Sequence, residues 1–301
     1  MMKPAVDVMV VPIPRDRSQV TRDLVALSKP RVLVMVLATT LVGYFVALTG
    51  PADYVRLAHL LFGTLLAAGG TLALNQYVER DVDARMERTK HRPLPDGRLQ
   101  PLEALIFSGA LTSLGVVYLA ASVGVAVAIL TLSTTILYIG AYTPLKVRSA
   151  ACILVGAIPG ALPPVTGWVA AHGDFGLGAA VLFGILFLWQ LPHTLAIARL
   201  YADDYARAGV RVLSVADSHG TLTERQIASS TLSLFAVSLL PTLIGISGIA
   251  YFVTACALGL GLLGAGLAHA KTRSTASARR VLLASLLYLP LLLAVLAFDK
   301  P

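Results

Sequence analysis

Asn75, Glu79 and Asp83 stand four residues apart in a stretch that runs Asn75-Gln-Tyr-Val-Glu-Arg-Asp-Val-Asp-Ala-Arg-Met-Glu-Arg-Thr-Lys-His-Arg-Pro93. On a helix of about 3.6 residues per turn, this spacing puts all three on one slowly drifting stripe. Carboxylates gathered this closely repel one another and favour either protonation or a cation. Hard oxygen ligands with an asparagine amide suit Mg²⁺, which binds through a few carboxylates and keeps positions for water and phosphate oxygens. Arg85, Arg88, Lys90 and Arg92 follow directly. Guanidinium takes phosphate oxygens bidentately. Carboxylates alone repel an anion, whereas carboxylates, a divalent cation and arginines together bind a diphosphate. The competing account is a solvated loop of local ion pairs. Asn75 and Glu79 argue against it, because they sit at the end of a long apolar run.

Two further groups could join this chemistry. His193 precedes Tyr201-Ala-Asp-Asp204-Tyr205. On a continuing helix Tyr201, Asp204 and Tyr205 share a face. His193 and Asp204, eleven apart, point within about 20° of one another. Asp204 is then a candidate metal ligand opposite the first cluster; a solvated helix end is the alternative. His193 is equally readable as a packing residue. Tyr142-Thr-Pro-Leu-Lys146-Val-Arg148 is short and basic. Its lysine either closes over phosphate or anchors a membrane face.

The elements that carry these residues follow from composition. Only 13% of the 301 residues are charged, about half the usual share of roughly 25%. Mean hydropathy is +0.78. The apolar residues fall in runs of roughly 18–22, long enough to cross a hydrocarbon core of about 30 Å as helices. Nine spans are expected, at about 32–49, 57–78, 102–121, 125–142, 150–170, 176–198, 228–246, 249–269 and 281–298. Residues 1–29 read as a loosely ordered cytoplasmic tail, and 30–301 as one membrane domain. The prolines around Pro159 and Pro163 in span five, and Pro192 in span six, predict helices that kink or unwind. Gln190 and His193, polar within span six, predict a face on an internal cavity.

Charge placement sets the topology. Of 24 Lys and Arg residues, 22 lie in the N-terminal segment through Arg31 and in the four connections that follow spans two, four, six and eight; only Arg56 and Lys300 do not. The positive-inside rule places those connections and the N-terminus in the cytoplasm, and the C-terminus outside. The net charge of +8 is therefore topological, and nucleic-acid binding is not needed to explain it. Cys152 and Cys256 lie far apart in apolar runs and suggest neither a disulfide nor a zinc site. No P-loop, dinucleotide fingerprint, haem-attachment motif or HExxH is present. A transporter would share polar and broken helices, but it rarely needs a dense Asp/Glu/Arg cluster in one loop.

The stretch from Asn75 to Pro93 resembles the first Asp-rich motif of the UbiA superfamily of intramembrane prenyltransferases. Tyr142-Thr-Pro-Leu-Lys146, Gly156-Ala-Ile-Pro-Gly-Ala-Leu-Pro-Pro164 and Trp189-Gln-Leu-Pro-His193 with Asp204-Tyr205-Ala-Arg-Ala-Gly209 resemble the branch that prenylates haem. The likeness runs from about Leu27 to Gln226. It implies an all-α bundle of nine transmembrane helices around a central cavity. It implies transfer of farnesyl from farnesyl diphosphate to a vinyl group of haem B, with water addition, for terminal-oxidase haem biosynthesis. A quinone-pathway enzyme of the same fold is the neighbouring alternative. By the same likeness Asn75, Glu79, Asp83 and Asp204 would hold Mg²⁺-diphosphate. Arg85, Arg88, Lys90, Arg92 and Lys146 would hold diphosphate, and Tyr142, Tyr201 and Tyr205 would line the substrate site. His193 would contact haem, through iron or a propionate. A bacterial inner membrane is the implied location, with haem A synthase or terminal oxidase assembly as implied partners. Glu79 stands where the superfamily more usually has Asp, and Ala202 where a basic residue is common. Arg211 and Ser214 replace apolar or proline residues.

Overall fold

The structure is a computed structural model that describes residues 16–217 and 221–300. The chain order is α1 (Arg17–Leu27), α2 (Pro30–Ala47), α3 (Tyr54–Asp83), α4 (Pro101–Ser122) and α5 (Val125–Ile136). A π-helical turn (Leu137–Tyr142) and α6 (Thr143–Leu145) continue α5. Then come α7 (Cys152–His172), α8 (Leu177–Leu200), α9 (Ala202–Arg207), α10 (Leu213–Ala216), α11 (Thr221–Ser238), α12 (Leu240–Leu243), α13 (Ile249–Thr272) and α14 (Thr275–Phe298). Among the described residues, nine helical segments are long and apolar enough to cross a membrane, the number the sequence predicts. Phe62, Ile106, Leu114, Val117, Ile129 and Leu287 point outward and exposed. Such an apolar surface is tolerable only under lipid, and the chain is a multi-pass membrane protein.

Short and long connections separate to opposite ends of the bundle. At one end Arg56 donates from Nε to the Ala170 carbonyl (2.7 Å) and from a terminal nitrogen to the Val123 carbonyl (2.8 Å). Lys300 donates to the Leu48 carbonyl there (2.9 Å). These bonds satisfy carbonyls that helix ends leave open. At the other end the long connections interlock: the Arg211 N–H bonds the Lys146 carbonyl at 2.8 Å, and Arg98 pairs with Asp23 at 3.1 Å.

The helix ends depart from the expected ones in ways that matter for the site. α3 runs to Asp83 rather than stopping near 78, because neither Gly nor Pro falls between Val78 and Asp83. Asn75, Glu79 and Asp83 thus share one unbroken helix. The expected loose tail is corrected over its second half. α1 packs Val20, Leu24 and Leu27 into a cluster with Ala73, Tyr77, Leu94 and Leu99, and Gln76 donates to the Leu27 carbonyl at 2.7 Å. The spacing of those three apolar residues makes one helical stripe. Residues 1–15 lie outside the described residues. α11 and α14 begin earlier than expected, at Thr221 and Thr275, so the basic residues Arg279 and Arg280 sit on a helix rather than in a loop.

The helices also do not unwind at their prolines. α7 runs through buried Pro159, Pro163 and Pro164, and α8 through Pro192. Close packing holds them in register. A Cβ built on Gly43 of α2 would lie 2.0 Å from the Pro164 carbonyl oxygen, and one on Gly167 of α7 would lie 1.9 Å from the Thr40 oxygen. The two backbones touch, which is how membrane helices gain dispersion energy without a hydrophobic drive. Gly167→Ala should therefore overpack this contact and cost about 1–3 kcal/mol. Gly109→Ala, where nothing lies within 4 Å, should be neutral or slightly stabilising. Thermal unfolding in detergent distinguishes them; equal melting temperatures would contradict the close packing.

Candidate active site

At the end of the bundle that carries the long connections, each oxygen ligand on α3 meets a cation from another segment. Asn75 Oδ1 accepts from Lys29 Nζ at 2.7 Å. Glu79 Oε1 accepts from Lys146 Nζ at 2.9 Å. Asp83 Oδ2 accepts from Arg92 at 2.6 Å. Asn75, Glu79 and Asp83 are all buried. A buried carboxylate without a partner is costly, so these pairs are what let α3 carry charge this deep. Lys146 and Arg92 match the two carboxylates, and Lys29, whose partner is the neutral Asn75 amide, adds a third basic group to the inner ring.

Lys29 was not among the residues singled out by sequence. Its position, directly before Pro30 and Arg31 at the mouth of the first span, looks purely topological. The structure puts it in the left-handed region, φ 46° and ψ 68°. That conformation costs a non-glycine residue roughly 1–2 kcal/mol. It turns the chain from α1 into α2 and delivers the amine to Asn75. Burial, with Arg92 beside it, lowers the Lys29 ammonium to about 7, against the opposing pull of Glu79. Burial alone would also lower Lys146. The Tyr142 and Glu79 side chains outweigh it and hold that ammonium well above its ordinary value.

Lys146 is aimed by a local irregularity. Pro144 has no N–H to continue α5 regularly, and the preceding turn widens to π geometry over Leu137–Tyr142. Such turns commonly mark functional sites. Thr143 Oγ1 donates to the Tyr138 carbonyl at 2.8 Å and accepts from Asn75 Nδ2 at 3.1 Å. Tyr138 and Tyr142 stack at 5.3 Å, and Lys146 Nζ lies 5.1 Å from the Tyr142 ring centre. The π turn thus joins the ionic ring to the wall of a cavity.

That cavity, of about 290 Å³, lies between α2, α3, α5, α7 and α8. Its lining runs from Tyr142 beside the ring to Thr64, and includes Gln190 and Thr194 of α8. Gln190 faces the cavity as the sequence suggests. His193 does not line it. Its Nδ1 lies 2.9 Å from Ser285 Oγ on α14, and its ring stacks on Trp189 at 4.7 Å.

Asp204 is held apart from the α3 stripe. One carboxylate oxygen accepts from the Glu87 N–H (2.9 Å) and from Arg207 (2.6 Å), and the other from the Arg88 N–H (3.3 Å). It clamps the loop after α3, whose Met86 is buried with Tyr205, Val210 and Val212. Among the described residues, no three His, Cys, Asp or Glu side chains form a ready metal cluster. Arg85, Arg88 and Tyr201 lie on the outside of the loop, with the Arg88 guanidinium 5.6 Å from the Tyr201 ring. Lys90 pairs with Glu87 at 2.6 Å. The structure therefore gathers Asn75, Glu79, Asp83, Lys146, Arg92 and Tyr142 in an inner ring. Arg85, Arg88, Lys90, Tyr201, Asp204 and Tyr205 belong to the covering loops.

Burial alone would raise the Asp204 carboxyl, but the two N–H groups and Arg207 outweigh it and hold it below its ordinary value. The stability this adds is present above the ordinary carboxyl pKa and is lost as pH falls through the lowered one. Asp204→Ala should release the loop. Hydrogen exchange at the amides of Glu87 and Arg88 should then speed up at least about tenfold, in keeping with the loss of charge-assisted bonds. Unchanged exchange would show that the clamp is not what orders the loop.

The donor set fits Mg²⁺ in kind: Asn75, Glu79 and Asp83 put hard oxygens on one buried helix face. Fold and site together define a membrane-embedded helical bundle with a buried ring of acidic and basic side chains beside an apolar cavity. The UbiA prenyltransferase family model matches residues 36–294, and the chain belongs to that family. It is 44% identical over 289 residues to a protoheme IX farnesyltransferase of Solibacter usitatus, covering 93% of this chain and 99% of the relative. A protoheme IX farnesyltransferase of Koribacter versatilis is 41% identical over 289 residues, covering 93% of each. Among solved structures, a UbiA homolog from Aeropyrum pernix K1 superposes with TM-score 0.72 at 17% identity, over 89% of this chain and 97% of that one. A UbiA homolog from Archaeoglobus fulgidus bound to GPP and Mg²⁺ gives TM-score 0.62 at 14% identity, over 91% and 99%.

Proposed function

We propose that this chain transfers the farnesyl group of farnesyl diphosphate to the 2-vinyl group of haem B, with addition of water, to give haem O. The observation that carries the diphosphate half is the ring in which Lys29, Lys146 and Arg92 meet Asn75, Glu79 and Asp83. The haem half rests on the relatives of 38–44% identity named for that reaction. Asn75, Glu79 and Asp83 would hold Mg²⁺, which when bound supplies a Lewis acid for the diphosphate oxygens. Lys29, Lys146 and Arg92 then turn from the α3 oxygens to phosphate and stabilise the charge that builds as the C–O bond breaks. Tyr138 and Tyr142 present ring faces where the allylic cation forms. The cavity walls keep bulk water from that cation. The covering loop, clamped by Asp204, closes over the leaving group, with Arg85, Arg88 and Lys90 at its rim.

The bundle end with the long basic connections is the cytoplasmic one in this reading, in a bacterial inner membrane. The N-terminus is then cytoplasmic and the C-terminus outside. The product would pass to haem A synthase or to terminal oxidase assembly. His193, stacked on Trp189 and bonded to Ser285 of α14, would touch the edge of a haem whose vinyl group lies in the cavity.

The test is a product assay in membranes supplied with farnesyl diphosphate, haem B and Mg²⁺. Haem O should form, should cease with EDTA and should return with added Mg²⁺. Glu79→Gln and Asp83→Asn should each lower turnover at least about 100-fold. Prenylation of 4-hydroxybenzoate in place of haem would transfer the chain to the quinone pathway. Turnover unaffected by chelation would remove the metal role from the α3 face.

A further inference from the structure

Within the cavity, Gln190 is bound in a way that leaves one atom unused. Its Nε2 donates to the Leu186 carbonyl one turn back (3.0 Å) and to the Ala157 carbonyl of α7 (3.2 Å). Both amide hydrogens are spent. The reverse orientation would set an amide oxygen against two carbonyl oxygens, so the hydrogen-bond network fixes the assignment. Oε1 is turned to α7 at Gly160, where an added Cβ would lie 1.9 Å away. Only glycine leaves room for that oxygen. Among the described residues, no group donates to Oε1, and the Thr194 hydroxyl one turn further along α8 has no protein partner either. Both residues line the cavity. Thr40, Thr131 and Thr134 of the lining spend their hydroxyls on their own helices, donating to Val36, Val127 and Leu130 (2.9 Å each); Thr64 Oγ1 is also without a partner among the described residues, but it lies on α3, away from the Gln190 oxygen that Gly160 admits.

An acceptor held this firmly needs a donor from inside the cavity. A prenyl chain has no donor, and neither has a vinyl group. Water has two. We infer that Gln190 and Thr194, with Gly160 as the slot, seat the water molecule that adds to the prenylated acceptor; this rests on the haem-farnesylating function proposed above. The atoms balance as follows. The C–O bond of farnesyl diphosphate breaks and its electron pair leaves with diphosphate. The vinyl π pair forms the new C–C bond to the farnesyl C1, leaving a cation on the vinyl carbon next to the porphyrin. The seated water forms the C–O bond there, and its surplus proton goes to the released diphosphate. Without a seated water the same cation loses a neighbouring proton instead and gives an alkene. Gln190 and Thr194 thus decide hydration against elimination, whereas the ionic ring decides whether the cation forms at all.

The full-length protein in membranes is supplied with farnesyl diphosphate, haem B and Mg²⁺, and the prenylated haem is resolved by mass against diphosphate released. The wild type should give the hydroxylated product. Gln190→Leu and Thr194→Val should still release diphosphate and prenylate haem. In both, the alkene, lighter by one water, should rise about tenfold relative to the hydroxylated product, as expected for losing one buried hydrogen bond to the reacting molecule. Gly160→Ala should shift the ratio the same way. If Gln190→Leu fails to fold, Thr194→Val decides, since its hydroxyl bonds nothing among the described residues. A hydroxylated share equal to wild type in Thr194→Val, or in a folded Gln190→Leu, would overturn the inference. A wild type that prenylates no haem would instead overturn the function on which it rests.

Discussion

The Lys146–Glu79 pair, 2.9 Å long and largely buried, is the interaction on which the site depends. A carboxylate on a membrane helix is tolerated only with its countercharge beside it. Here the countercharge comes from another segment, as it does for Asp83, and the neutral Asn75 amide likewise takes its cation from elsewhere. The partners in each pair lie 67, 46 and 9 residues apart in sequence. Ionic pairing thus draws the start of α2, the end of α3 and the continuation of α5 to one place. The same pairing makes the resting ring a stand-in for the loaded one. In the proposed function a divalent cation would take the α3 oxygens while the amines and guanidinium turn to phosphate, so Glu79 and Asp83 would keep a countercharge when substrate binds.

The rest of the bundle keeps those partners in register. Gly43 and Gly167 let α2 and α7 meet backbone to backbone, which fixes the wall that the cavity shares with the ring. The π turn before Pro144 rotates Tyr138, Tyr142 and Lys146 onto that same wall. Lys29 pays in backbone strain for its place beside Asn75. The π turn and the Lys29 backbone are small irregularities in otherwise regular helices, and both lie at the end that carries the ionic ring, where strain is commonly found.

Much of this was legible in the sequence. Nine apolar runs and the placement of Lys and Arg gave the span number and the two unlike ends. The four-residue spacing of Asn75, Glu79 and Asp83 placed the three side chains along one helix, where the structure has them buried. Pairing between distant segments was less legible. Lys29 looks like any basic residue flanking a first span, and nothing local says that its backbone turns left-handed. Asp204 has the composition of a metal ligand, yet its oxygens hold the Glu87 and Arg88 amides, a contact over more than 110 residues that spacing cannot show. His193 shares α8 with Gln190 but not its cavity face. A three-residue step on a helix rotates about 60° short of a full turn, enough to separate the two. The prolines of α7 do not unwind it for a related reason: they disfavour a regular lone helix, but close neighbours hold this one through them.

The central claim is that the α3 oxygens and the three cations form one exchangeable site for a metal-bound diphosphate. Calorimetric binding of a non-ionisable farnesyl thiodiphosphate analogue to the purified protein tests it most directly. Tight binding should require Mg²⁺ and should weaken at least about tenfold in Glu79→Gln, the loss expected when a charged ligand to the metal becomes neutral. Equal affinity with and without Mg²⁺, unchanged by Glu79→Gln, would contradict the account.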